Sequence, residues 1–331
     1  MRSEKGQTRK REFARKPSNF YRELKTHKNK TYPLERSQLY RLRRKRGLAE
    51  LLAVSVKDLG SLCSNEHYNV FPKRMRGKER IIEQPTGQLE RAHRKLQVLL
   101  QRIESQDYLF SGKKGVSSID NAMSHLGKNH MLALDIAHFF PSCKSQLVYN
   151  FFRYHMKTSP DIASLLSEVT TYNGHVPTGS SLSMSIAYWA CQKTFQTIHS
   201  IAQKYGVRFT LYVDDMTFSS AEPLPRDIYL SVNHRLNTIG LSLKRSKTRV
   251  LLANDHKVVT GVALTPQGEA RVPNRIRLKI LRKLSACGNL DTADINDLRS
   301  LLGIIVSARR IEPHFLEATL LRVRGALAGR T

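Results

Sequence analysis

A chain of 331 residues, 40% hydrophobic and 8% aromatic, is long enough to bury a sizeable core and too apolar to be disordered throughout. Its 55 Lys plus Arg against 27 Asp plus Glu give a net +28, which implies a polyanionic partner, nucleic acid before an anionic membrane surface. The longest clean apolar stretch is Leu301 to Val306 and no basic-then-apolar leader opens the chain, so no membrane span or secretion is expected, and the protein is read as soluble and cytoplasmic.

Residues 1–47 carry 17 Lys or Arg against 4 Glu, interleaved with Phe20, Tyr21, Tyr32 and Tyr40. Such a basic extension suits phosphate contact with base stacking; the alternatives are a flexible, non-specific arm or rings that anchor the segment to its own domain. From Leu48 the spacing of Leu51, Leu52, Val54, Val56, Leu59 and Leu62 predicts a helix, ended by Ser64 and Asn65. Tyr68, Val70 and Phe71, then the basic run Lys73 to Arg80 and Ile81-Ile82, predict a strand, a turn and a returning strand. Gln88 to Ser105 reads as an amphipathic helix with Leu89, Leu96, Leu99, Leu100 and Ile103 inward.

Further on, Met131 to Ile136 is an apolar run of buried-strand type, and Val207 to Val213 alternates. Ser145 to Tyr154, Ser183 to Ile201 and Arg226 to Ile239 are helical, as is most of Arg275 to Arg330, with a break at Pro313. The four cysteines, Cys63, Cys143, Cys191 and Cys287, form no CxxC pair and are read as reduced thiols.

Both strands deliver acids. Tyr212-Val213-Asp214-Asp215 describes a strand running into an acidic turn, which taken alone is a common solvated hairpin tip. Asp135, however, closes a buried strand, where a charge is costly unless paired or bound to metal. Nucleotidyl transfer needs hard oxygen ligands holding two magnesium ions about 3.5–4 Å apart. Asp135 and Asp214 would bridge both ions, Asp215 would support one, and the backbone carbonyl of Ile136 is a further candidate ligand; manganese could substitute.

At this point the chain resembles the reverse transcriptases. Tyr212 to Asp215 looks like their YxDD box and Asp135 to Pro141 like their first catalytic motif. Arg80 to Pro85 resembles the R-x-I-x-x-P motif of the fingers, and Gly240 to Leu243 followed by Lys247-Thr248 resembles the motif with a lysine near the leaving phosphates. Asn121 to His125 and Val259-Thr260-Gly261 are similar to the NAxxH and VTG elements that mark the retron type.

The resemblance implies an α+β right hand: fingers at 48–134 with 142–176 inserted, an antiparallel-sheet palm at 135–261, and a helical, RNA-binding thumb at 262–331. It implies deoxynucleotide substrates, with Arg80 at the triphosphate, Gly179 allowing close backbone approach, Phe140 excluding a 2'-hydroxyl, and Lys247 serving the leaving pyrophosphate. A core phenylalanine and a surface lysine are the alternatives at the last two positions. It further implies a cognate structured non-coding RNA, DNA synthesis primed from a 2'-hydroxyl of that RNA to give a branched hybrid, and an effector protein in anti-phage defence. Two features depart from the pattern: Thr178 stands where the family has glutamine, and His138 where many relatives have a second acid. The rival readings are a group II intron-like enzyme, which would be expected to carry a maturase or endonuclease region beyond the thumb, and a non-catalytic RNA-binding scaffold, against which the three acids argue.

Overall fold

The computed structural model describes residues 31–75 and 77–329. The basic extension before residue 31, including Phe20 and Tyr21, lies outside the described residues, as do Arg76 and the side chain of Lys78 at the hairpin tip. Helix α1 (Lys45–Leu52) stops earlier than the leucine spacing predicts, because Ala53 turns left-handed (φ 53°) and short 3₁₀ turns carry Leu59 and Leu62 inward instead. The hairpin β1 (Tyr68–Met75) and β2 (Lys78–Pro85) follows, then α2 (Gly87–Gln101) with Leu89, Leu96, Leu99 and Leu100 buried as expected.

Next come α3 (Ser118–Met123), β3 (His130–Asp135), α4 (Phe139–Ser142), α5 (Ser145–Asn150) running into a π-helical turn, α6 (Pro160–Thr170) and α7 (Ser183–Lys204). The hairpin β4 (Arg208–Tyr212) and β5 (Asp215–Ser220), α8 (Arg226–Asn237) and β6 (Arg249–Leu251) complete an antiparallel sheet of order β4-β5-β3-β6. A small sheet of β7 (Lys257–Val259), β8 (Val262–Leu264) and β9 (Ala270–Arg271) leads to α9 (Asn274–Cys287), α10 (Ile295–Arg309) and α11 (Glu317–Ala328). The break between the last two helices holds Pro313, as predicted.

The register of the central sheet explains its two faces. Because side chains alternate along a strand, Leu132, Leu134, Phe209, Leu211, Met216 and Phe218 share one face and fall in the main core together with α7 and α8. The opposite face carries Asp135, Asp215, Thr217, Ser219 and Thr210. An α+β fold with an antiparallel palm-like sheet is thus the observed architecture.

Two expected boundaries move. Leu39 is fully buried in the main core, and Tyr32 donates its hydroxyl to the Leu99 carbonyl at 2.9 Å, so residues 31–47 belong to the body of the fold, not to an appended arm. Likewise 262–271 is strand, and the last helical unit begins at Asn274 with its own core around Ile280, Leu298, Leu301, Ile305 and Val323. Before it, one main core takes in residues from Leu39 to Leu243, and a smaller cluster joins Ala122 and Met131 to Val259, Val262 and Leu264.

Candidate active site

β3 and β5 pair in such a register that Asp135 stands directly opposite Asp215. The β4–β5 hairpin then turns through Val213 and Asp214, because Tyr212 pairs with Asp215 and leaves two residues for the loop. Val213 adopts φ 61°, a left-handed conformation that a β-branched residue enters only at a cost of about 1–3 kcal/mol. Its amide donates to the Ser111 hydroxyl at 2.9 Å, and the amide of Ile136 donates to the Asp214 carbonyl at 3.0 Å, so both sides of the turn are held. Beyond β3, the carbonyl of Asp135 accepts from Lys244 N at 2.8 Å and Ala137 N donates to Ser242 O at 2.8 Å, which docks the Gly240–Lys247 segment beside the acids.

The outcome is that one carboxylate oxygen from each of Asp135, Asp214 and Asp215 lies within 4.8 Å of the other two. Asp135 is buried, and its carboxylate accepts an ion-paired hydrogen bond from the half-exposed Lys247 ammonium. Burial, and then the neighbouring Asp135, push the Asp214 carboxyl above its ordinary range; Arg80 and Lys247 pull the other way. Burial and the charges of Asp214 and Asp135 raise Asp215 to about 7. For Lys247 the desolvation that would lower its pKa is outweighed by the three carboxylates, which raise it. Three clustered hard oxygen donors that resist simultaneous ionisation fit a divalent cation, which would relieve their repulsion.

Other expected site residues are placed as follows. Ile136 is buried, next in chain to Asp135. Phe140 is half-buried in α4, its ring 5.6 Å from that of the buried Phe139 and packed at the edge of the main core. His138 is exposed and left-handed (φ 46°) at the start of α4, consistent with a solvated role. Gly179 lies against β2: a Cβ there would meet the Glu83 carbonyl oxygen at 2.7 Å and Ile82 Cγ2 at 2.8 Å, so it is strand β2 that demands glycine at this position. Thr178 compensates for its short side chain by bonding that same strand, donating to Ile81 O at 2.7 Å.

The two short elements that narrow the family, 139 residues apart, meet on the far end of the acidic face. Asn121 Nδ2 donates to Thr260 Oγ1 at 3.3 Å, and Thr260 Oγ1 donates to Ser118 O at 2.5 Å. Thr260 (φ 42°) and Gly261 (φ 90°) form the turn between β7 and β8, which explains the glycine. His125 is buried between Ser219 Oγ (2.6 Å) and Thr210 Oγ1 (2.7 Å), and so pins α3 to the central sheet. Glu83 and Ser111, neither of which the sequence singles out, are structural partners of the site.

A family model described as reverse transcriptase (RNA-dependent DNA polymerase) matches residues 71–282. The chain belongs to that family. Within it, this reverse transcriptase is similar to several of the retron type. It is 29% identical over 183 residues to the retron Se72 reverse transcriptase of Salmonella heidelberg, an alignment covering 54% of this chain and 48% of that protein. It is 26% identical to the retron Ec86 reverse transcriptase of Escherichia coli, covering 78% of this chain and 83% of the relative, and 28% identical to the retron Ec83 reverse transcriptase, covering 76% and 85%. The matched span of the reverse transcriptase model includes all three aspartates, Arg80, Phe140, Gly179 and Lys247. No helix among the described residues is long and apolar enough to cross a membrane.

Proposed function

We propose that this chain synthesises DNA on a cognate structured RNA, using divalent cations held by Asp135, Asp214 and Asp215. The convergence of those three carboxylates at one end of the central sheet carries the reading. Two magnesium ions, with the Ile136 carbonyl as an added ligand, would supply charge neutralisation at the attacking and leaving oxygens. The chain's own residues would position the substrates. Arg80, close enough to pull the raised Asp214 carboxyl back down, would contact the triphosphate of the incoming deoxynucleotide. Lys247, on the same cluster, would balance charge or give up a proton as pyrophosphate leaves. In this reading the fingers comprise the β1–β2 hairpin with α2, α5 and α6, the central sheet is the palm, and α9 to α11 form a thumb that meets RNA.

Phe140 would close over the sugar. Phe140→Ala is expected to improve ribonucleotide incorporation relative to deoxynucleotide by about ten- to a hundredfold, as removal of a steric sieve allows, measured as the ratio of kcat/KM values in primer extension. An unchanged ratio would return Phe140 to a packing role.

The similarity to retron enzymes supports the finer parts of the proposal: a DNA strand primed from a 2'-hydroxyl of the RNA, a cytoplasmic setting, and an effector protein acting with the hybrid in defence against phage. The direct test is to purify the protein from its host at low salt and extract the nucleic acid. DNA that retains a covalently attached ribonucleotide branch after ribonuclease digestion is expected. DNA with a free 5' end refutes the branched priming, and the absence of any nucleic acid refutes the RNA partner.

A further inference from the structure

Glu83 lies on β2, three residues beyond Arg80, and is 8% exposed. A carboxylate so deeply placed must be hydrogen-bonded, and every one of its polar groups points to the segment 175–179. Oε2 accepts from Thr178 N at 3.0 Å, and Oε1 pairs with His175 Nε2 at 3.0 Å. Its backbone carbonyl accepts from Gly179 N at 3.1 Å, while its amide donates to Thr178 Oγ1 at 3.3 Å. The segment is itself fixed at both ends. Val176 N donates to Cys143 O at 3.0 Å, three residues past Phe140, and Ser180 Oγ pairs with the buried His93 at 2.7 Å.

A two-stranded ribbon is marginal by itself, and β1–β2 projects a basic tip whose aim is decided by what holds its base. Glu83 is the tie between that base and the loop leading into α7. Loosening it would let Arg80, about 10 Å further along the strand, swing relative to the acids.

We propose that Glu83 is a positioning residue that locks the β1–β2 hairpin to the 175–179 loop, so that Arg80 and the Gly179 backbone present one fixed subsite to the triphosphate of the incoming nucleotide. This rests on the reading of Arg80 given above. The lock acts before chemistry, so its loss raises the deoxynucleotide KM and leaves kcat nearly intact.

The test is steady-state extension of a DNA primer on a supplied RNA template, with rates normalised to folded protein by thermal melting. Glu83→Ala is expected to raise the deoxynucleotide KM about tenfold or more, equivalent to one lost charge-assisted hydrogen bond, with kcat changed less than about threefold. Glu83→Gln, whose amide can still accept from Thr178 N and donate to His175, is expected to restore most of the KM. Thr178→Val, which removes the hydroxyl without changing shape, should raise KM, and Thr178→Ser should not. An unaltered KM in Glu83→Ala, or a fall in kcat with KM unchanged that Gln fails to rescue, overturns the assignment. Arg80→Ala measured alongside separates the two layers. If it raises KM and Glu83→Ala does not, the positioning inference alone is wrong; if it leaves KM unchanged, the triphosphate subsite is misplaced and this inference falls with it.

Discussion

Asp214→Asn is expected to slow primer extension at least about a thousandfold, because one ligand lost from a charge cage removes about 4 kcal/mol or more of transition-state stabilisation. The same holds for Asp135→Asn; Asp215→Asn should be severe as well. A second readout does not depend on activity. Asp215 is held near 7 by burial and by Asp214 and Asp135. A carboxylate whose folded-state pKa exceeds its unfolded value makes the folded state bind extra protons, so stability falls as pH rises from the ordinary carboxylate range through about 7. In EDTA at pH 8, Asp215→Asn should therefore melt a few degrees above the parent, a gain of roughly 1–2 kcal/mol once solvent screening of this open carboxylate is allowed for. Magnesium should raise the Tm of the parent and barely that of Asp214→Asn. A preparation free of other polymerases that keeps its rate after Asp214→Asn would end the assignment of these carboxylates.

The acids were legible because they obey local rules. Asp135 closes a strand whose preceding run Met131 to Leu134 is apolar, while Asp214 sits in the two-residue turn and Asp215 opens the returning strand, so each signal could be read within a few positions. Their convergence follows from the cross-strand register of Asp135 with Asp215, a pairing across 80 residues that no local pattern encodes. Glu83 was invisible for the same reason: its partners Thr178 and His175 stand more than 90 residues away. Thr178, read as a shortened glutamine, is instead matched to β2 through its hydroxyl. The burial of Leu39 was hidden beneath the surrounding charge, since Leu34, Leu39 and Leu42 are too few among the arginines to make an apolar face stand out. The strands at 257–271 are two or three residues long, too short for alternation to separate them from the helices that follow.

Two buried histidines give the second large effect, an acid lability opposite in sign to that of the aspartates. His93 is fully buried between Ser180 Oγ and Val169 O, and burial, offset in part by the bond to Val169, lowers it to about 4. His125 is buried between Ser219 and Thr210, and burial together with Arg208 nearby lowers it to about 3. With folded-state values below the unfolded one, the unfolded chain binds the extra protons. Stability is complete above about pH 6.5 and is lost as pH falls toward 4 and 3. Between pH 7 and 5 the pair should cost roughly 4 kcal/mol, a large part of a typical 5–15 kcal/mol stability. Relief of the Asp215 repulsion returns only about 1 kcal/mol over the same interval after screening. Urea midpoints measured in EDTA should therefore fall steeply from pH 7 to 5. His93→Gln and His125→Gln, which keep a donor and an acceptor, should lower stability at pH 7 yet each remove about half of that slope. A double variant with the parental slope would place the acid sensitivity elsewhere. The two histidines hold the loop before α7 and the α3 end of the sheet, so as pH falls Asp215 takes up its proton first, near 7, and the supports of the site are released only below that.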